Sequence, residues 1–150
     1  MLSLPQLQVF RPSTVQEAVA LAVANPGSQY IAGGTDLLPN LKQGLYDSRV
    51  LVSVSGLGLN TAQQLDDGSW ILGAGLTLQS LASHAGLRGA YVGLSDAAAH
   101  IAGPQHRARG TLGGNVMLDT RCLYYNQTPE WRESLGYCLK RSGDWCHVIG

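Results

Sequence analysis

Apolar residues recur along this chain with two different periods, and the two take turns. Gln6 to Phe10 alternates polar and apolar side chains, the period of a half-buried strand. Arg11-Pro12 stops it. Ser13 and Thr14 both suit a helix cap, and Thr14 with Glu17 matches a capping box. Val15, Ala18, Val19, Ala22 and Val23 then share one helical face, and Asn25-Pro26-Gly27 closes that helix. Tyr30 to Ala32 reads as the end of a buried strand. Leu37, Leu38, Leu41 and Leu45 form the inner face of a short helix that contains a breaker, Pro39. Val50 to Val54 is a third, strongly apolar strand. Strand, helix, strand, helix, strand is an α/β pattern with at least one crossover.

The second half is patterned differently. Ser55 to Asn60 reads as a linker and sets a subdomain boundary near residue 56. Gln63 to Gly68 predicts a hairpin turning at Asp67-Gly68, and Trp70 to Gly73 is the returning strand. Thr77 suits the cap of a helix with Leu78, Leu81, Ala82 and Ala85 inward. Leu94, Ala97, Ala98 and Ile101 mark another helix. His100 to Gly110, with Pro104 inside it, reads as a loop. The expected class is α+β with two small subdomains, 1–56 and 57–118. The tail, 119–150, has little periodicity of either kind.

Two glycine pairs stand at the joints of this pattern. Ile31-Ala32-Gly33-Gly34-Thr35-Asp36-Leu37 runs from a strand through glycines into a helix start, with Thr35 or Asp36 as cap. Glycine lets backbone approach a ligand, and free N–H groups at a helix start point at anions. Gly110-Thr111-Leu112-Gly113-Gly114-Asn115 has similar character far along the chain. Two such loops suit a ligand with two phosphates, each offering a nest of backbone N–H groups.

Composition narrows the field. The chain has 150 residues, 45% hydrophobic and 13% charged, with zero net charge, which is a globular composition. No basic excess argues for nucleic acid or an anionic membrane surface. Met1 to Pro5 has neither a charged n-region nor a long apolar run, so no signal peptide or membrane span is expected. The three cysteines, Cys122, Cys138 and Cys146, all lie in the tail. An odd count argues against a disulfide framework and for a reducing compartment, the cytoplasm.

The cysteine spacing, Cys-x15-Cys-x7-Cys, is neither that of a zinc ribbon nor that of a bacterial ferredoxin. On spacing alone they are partly buried free thiols or ligands of zinc or an iron–sulfur cluster. An aperiodic tail is hard to fold by burial, and a metal could supply the missing stability. His84, His100, His106 and His147 show no metal-ligand spacing. Arg107 and Arg109 suit either phosphate charge or solvent.

The two glycine motifs resemble the FAD-binding motifs of the flavin subunits of molybdenum hydroxylases, the xanthine dehydrogenase and carbon monoxide dehydrogenase family, over about residues 1–120. The resemblance implies their two-subdomain FAD-binding fold, with FAD between the subdomains. It implies an FAD-containing oxidoreductase subunit in a hetero-oligomer with a molybdenum-cofactor subunit and a [2Fe–2S] subunit. The residues it assigns to FAD are Ile31 to Leu37, with Thr111, Gly113, Gly114, Asn115, Asp119 and Ile101. Backbone N–H groups of Gly33, Gly34, Thr35 and Gly114 would hold phosphate oxygens, with Asp36 serving as a cap.

The segment after the second motif, from Asp119-Thr120-Arg121-Cys122 to Cys146-His147, is similar to a loop inserted in the flavin subunits of 4-hydroxybenzoyl-CoA reductases. That likeness implies a [4Fe–4S] cluster on Cys122, Cys138 and Cys146, a ferredoxin-like electron donor, and reductive dehydroxylation of 4-hydroxybenzoyl-CoA. Four thiolates are required and three are present, so the fourth ligand and the rest of the flavin site are expected beyond residue 150. His147 is a poor substitute, being adjacent to Cys146. An ordinary molybdenum-hydroxylase flavin subunit without a cluster, and a flavin-less binding module, are the alternatives.

Overall fold

The computed structural model describes residues 3–150. Three short strands, β1 (Gln8–Phe10), β2 (Gln29–Ile31) and β3 (Val50–Ser53), form a parallel sheet in the order β1-β3-β2. The register pairs Val9 with Leu51 and Tyr30 with Val52. The most apolar strand takes the centre: Leu51 and Val52 are 1% and 0% exposed. A strand covered on both faces needs apolar residues throughout, and only β3 has them.

Helix α1 (Val15–Ala24) starts at Thr14, whose hydroxyl accepts the Glu17 N–H at 3.1 Å. The return half of the cap differs from expectation. The Glu17 carboxylate reaches Ser13, accepting its N–H at 2.8 Å and its hydroxyl at 2.9 Å. The buried face also differs. Ala18 meets β3, whereas Val15, Val19 and Val23 face outward, Val23 at 76% exposure. The small residue is the buried one, and the valines of the adjacent stripe are left outside. Tyr30, expected inside, is half exposed.

Helix α2 (Leu37–Lys42) continues through Pro39 because proline near a helix start costs no internal hydrogen bond. Leu41, Leu45 and Asn40 are buried, and Leu37 and Leu38 partly so.

The second half opens with the antiparallel hairpin β4 (Ala62–Gln64) and β5 (Trp70–Leu72). Its turn closes with Gly68 N–H on Leu65 C=O at 2.9 Å, which puts Asp66-Asp67 at the centre and Gly68, φ +84°, in the left-handed position after it. Thr77 caps α3 (Leu78–Ser83) by accepting the Ser80 N–H at 3.0 Å. Leu78 and Leu81 enter a core with Leu76, Leu87 and Ala98, while Ala85 is exposed. Helices α4 (Ala85–Ala90) and α5 (Val92–His100) pack beside α3. Ser95 and Ala98, not Ala97, form the buried face of α5.

The expected loop at 100–110 is helix α6 (Pro104–Arg109). Pro104 stands at its first position, where it starts a helix rather than breaking one. Helix α7 (Leu112–Val116) carries the second glycine pair.

The tail is not aperiodic throughout: α8 (Pro129–Ser134) is capped by Thr128. Arginines hold it down. Arg132, 3% exposed, donates to the carbonyls of Gln43 at 3.3 Å, Gly44 at 3.2 Å and also Gln127. Arg141 donates to Leu45 C=O at 3.2 Å. These cations meet the carbonyl-rich end of α2, where positive charge is favoured.

Candidate functional site

The two glycine loops touch. A Cβ built on Gly33 would lie 2.0 Å from the Arg109 carbonyl oxygen and 3.1 Å from the Gly110 nitrogen. Only glycine permits this approach, so the end of β2 lies directly on the joint between α6 and α7. The second loop is tied from behind: Gly110 C=O accepts the Leu78 N–H at 2.9 Å, and Leu112 N–H donates to Leu76 C=O at 2.7 Å.

Beside this contact lies a cleft of about 470 Å³. It is lined by Ile31, Ala32, Gly33, Gly34, Thr35, Asp36 and Leu37 from the first loop, and Thr111, Gly114 and Asn115 from the second. Ile101 and Asp119 complete the set singled out from sequence. Gly113 is the exception. Its N–H donates to Ala74 C=O at 2.8 Å, and an added Cβ would meet Ala74 Cβ at 2.8 Å. Its lack of a side chain serves packing behind the loop rather than the cleft. Ile101 both lines the cleft and packs on the core. A smaller cleft of about 270 Å³ opens on the other side of the contact, with Ser55, Asn60, Ser80 and Arg109 in its wall.

The donors of the two loops differ. Among the described residues, the N–H groups of Gly33, Gly34 and Thr35 have no protein acceptor. Gly34 has φ +71°, the left-handed conformation that backbone anion nests use. The Gly114 N–H, expected to be free, donates to Thr111 Oγ1 at 3.1 Å. As acceptor of that bond, the Thr111 hydroxyl keeps its own proton to donate.

The electrostatics depend on the tail. Asp36 makes no side-chain cap bond to α2. Its carboxylate instead accepts Asn40 Nδ2 at 2.9 Å and Arg121 Nη2. Asp119 accepts Lys140 Nζ at 2.5 Å, and the same ammonium donates to Thr120 C=O. Tyr46 also faces the cleft. Burial, and after it the Asp119 charge, pushes its phenol up, so it is a neutral O–H donor at neutral pH.

Tyr30, Tyr46, Leu78, Ala102, His106 and Met117 also line the cleft and had no sequence signal of their own. A helical reading of 104–109 would have placed His106 one turn before Gly110. Arg107 does not face a phosphate site: it donates to Ile101 C=O at 3.1 Å and Ala102 C=O at 2.7 Å, bracing a corner where Ala102 has φ +47°.

Cys122 is exposed, Cys138 and Cys146 are half-buried, and all three thiols are free. Among the described residues no group of three or more His, Cys, Asp or Glu side chains is placed to hold a metal. As they stand, they do not fit a cluster, which needs four converging thiolates. N–H groups of Ile149 and Val148 on the Cys146 sulfur pull its pKa below the ordinary thiol value. His147 Nε2 is engaged with Tyr137 C=O at 2.6 Å.

Residues 5–130 match the model of the FAD binding domain in molybdopterin dehydrogenase. The chain belongs to this family. Its FAD-binding subunit relatives include that of aldehyde oxidoreductase from Escherichia coli, 37% identical over 120 residues, 80% of this chain and 38% of that protein. Among solved structures, quinoline 2-oxidoreductase from Pseudomonas putida 86 matches with a TM-score of 0.70 at 29% identity, covering 75% of this chain and 39% of that one. Carbon monoxide dehydrogenase from Hydrogenophaga pseudoflava matches with a TM-score of 0.73 at 29% identity, covering 76% and 40%. The α+β fold is therefore that of this family. The chain spans about two fifths of the length of the relatives it matches. Both glycine loops fall inside the family match, and the segment with Cys138 and Cys146 lies beyond it. No helix among the described residues is long and apolar enough to cross a membrane.

Proposed function

We propose that this chain forms the pyrophosphate-binding part of the flavin subunit of a molybdenum hydroxylase, with FAD in the cleft between the two glycine loops. The carrying observation is that Gly33, Gly34 and Thr35, whose N–H groups have no protein acceptor among the described residues, line the same cleft as Thr111 and Asn115. These donors suit phosphate oxygens, and a side chain at Gly33 would force apart the two walls that hold them. Bound FAD supplies reversible one- and two-electron transfer. The chain's own work is to fix the pyrophosphate and to place neutral donors, Tyr46 and Thr111, on the cleft wall. The partners in this reading are a molybdenum-cofactor subunit and a [2Fe–2S] subunit in a cytoplasmic hetero-oligomer.

A second reading is favoured by one observation: the cysteine-bearing tail is fastened to the cleft through Asp36 and Asp119. In it the subunit serves a 4-hydroxybenzoyl-CoA reductase. Cys122, Cys138 and Cys146, which form no metal-holding group as they stand, would then have to converge with a fourth thiolate on a [4Fe–4S] cluster, and a ferredoxin-like protein is the donor. The test is a visible spectrum with iron and acid-labile sulfide counts on anaerobically purified protein. Flavin bands with about four irons per chain support the reductase reading. Flavin without iron leaves the flavin subunit standing and returns the cysteines to free thiols. A colourless protein that takes up no added FAD overturns both.

A further inference from the structure

Two carboxylates line the main cleft, Asp36 and Asp119, and each is met by a cation from the tail. Arg121 lies 85 positions from Asp36 in the chain, and Lys140 lies 21 from Asp119. The Arg121 side chain is largely buried, at 12% exposure, and Nη1 is buried without a partner among the described residues. That guanidinium is desolvated for a single carboxylate. Asp36 sits two residues after Gly34, on the cleft-lining loop whose N–H groups at Gly33, Gly34 and Thr35 have no protein acceptor among the described residues. An unpaired carboxylate there would repel a pyrophosphate, whose charge has the same sign.

From this geometry we infer that Arg121 is a positioning residue for the dinucleotide. It neutralises Asp36 so that the first glycine loop accepts a pyrophosphate, and Lys140 does the same for Asp119. Arg121 and Lys140, which are not among the residues lining the cleft, thereby set cofactor affinity through the carboxylates that are. The inference rests on the flavin reading above and adds a role that the glycine motifs do not contain. It explains why an acidic residue is tolerated beside a nest for anions: the compensating charge comes from a distant segment. Burial of Arg121 makes the pair less sensitive to salt than a surface ion pair.

The test is a charge cycle on the intact protein, stripped of flavin and titrated with FAD, with binding followed by flavin fluorescence. Arg121→Gln leaves Asp36 unpaired and is expected to weaken FAD binding about tenfold, the size of one uncompensated charge in a partly solvated cleft. Arg121→Gln combined with Asp36→Asn removes both charges and is expected to return affinity to within about threefold of wild type. A purely structural role of Arg121 would leave the double variant as weak as the single one, and that result overturns the inference. Circular dichroism on each variant identifies a misfolded protein. If Arg121→Gln does not fold, Arg121→Lys replaces it: retained affinity supports the charge role, and a loss equal to that of Lys140→Gln with no rescue by Asp36→Asn overturns it. Wild-type protein that binds no FAD refutes the flavin reading itself, whereas wild-type binding without rescue refutes only the ion-pair role.

Discussion

Gly33 is the position where one methyl group has the most to disturb. In Gly33→Ala the new Cβ would stand 2.0 Å from the Arg109 carbonyl oxygen and 2.6 Å from its carbon. A carbon and a carbonyl oxygen rest at about 3.3 Å or more, so the loops must separate by about 1.3 Å. Neither side can yield by a rotamer change, because both are backbone. The α6–α7 joint is also held by its bonds to Leu76 and Leu78, so moving it loosens the edge of the second core. We expect a loss of about 3 kcal/mol, the upper part of the range for overpacking, or a melting point lower by about 9 °C for a chain of this size. FAD affinity should fall at least about tenfold, since a binding site tolerates only about 0.5 Å of displacement. Differential scanning fluorimetry with and without FAD measures both. Gly56→Ala is the control: nothing lies within 4 Å of its Cβ and its φ is not positive, so it should be neutral or slightly stabilising. A Gly33→Ala protein that melts within about 2 °C of wild type and keeps its FAD affinity would refute the idea that the contact builds the cleft.

Other substitutions probe separate parts of the argument. Thr111→Ala removes the acceptor of the Gly114 N–H and should cost about 1 kcal/mol in urea unfolding, with Thr111→Ser largely retaining it. Arg132→Met leaves the carbonyls of Gln43, Gly44 and Gln127 without their buried donor. It should cost about 3 kcal/mol, and limited proteolysis should cut the tail first. Hydrogen bonds from the Ser13 N–H and hydroxyl hold the Glu17 carboxyl below its ordinary value. Stability from this cap is thus complete above the unfolded-state value and lost as pH falls through the lower folded one. An NMR titration should show a depressed Glu17 midpoint, and Glu17→Gln should remove that part of the acid-side pH dependence.

Local patterns carried much of the fold. Thr14 and Thr77 cap the helices they precede, because a cap bonds only the next three residues and needs nothing distant. The apolar run Val50 to Val54 went to the centre of the sheet, and the two glycine loops line one cleft. Misreadings arose where a distant segment or a competing local rule decided. The segment 100–110 reads as a loop in sequence, yet Pro104 opens a helix there. On α1 the buried position is Ala18, whereas Val15, Val19 and Val23 of the predicted face stay exposed, a choice set by how the helix is rotated on the sheet.

Asp36 looked like a cap and became the partner of Arg121, and Gly113 looked like a phosphate loop and became a packing surface for Ala74. The sequence by itself determined where helices and strands begin and which two loops lack side chains, since propensity, capping and turn chemistry act over a few residues. Only the tertiary structure decided that Gly33 meets Arg109, that Arg121 and Lys140 of the tail pair with Asp36 and Asp119, and that the cysteines form no metal-holding group among the described residues. Each of these depends on contacts between distant segments, whose geometry no local periodicity encodes.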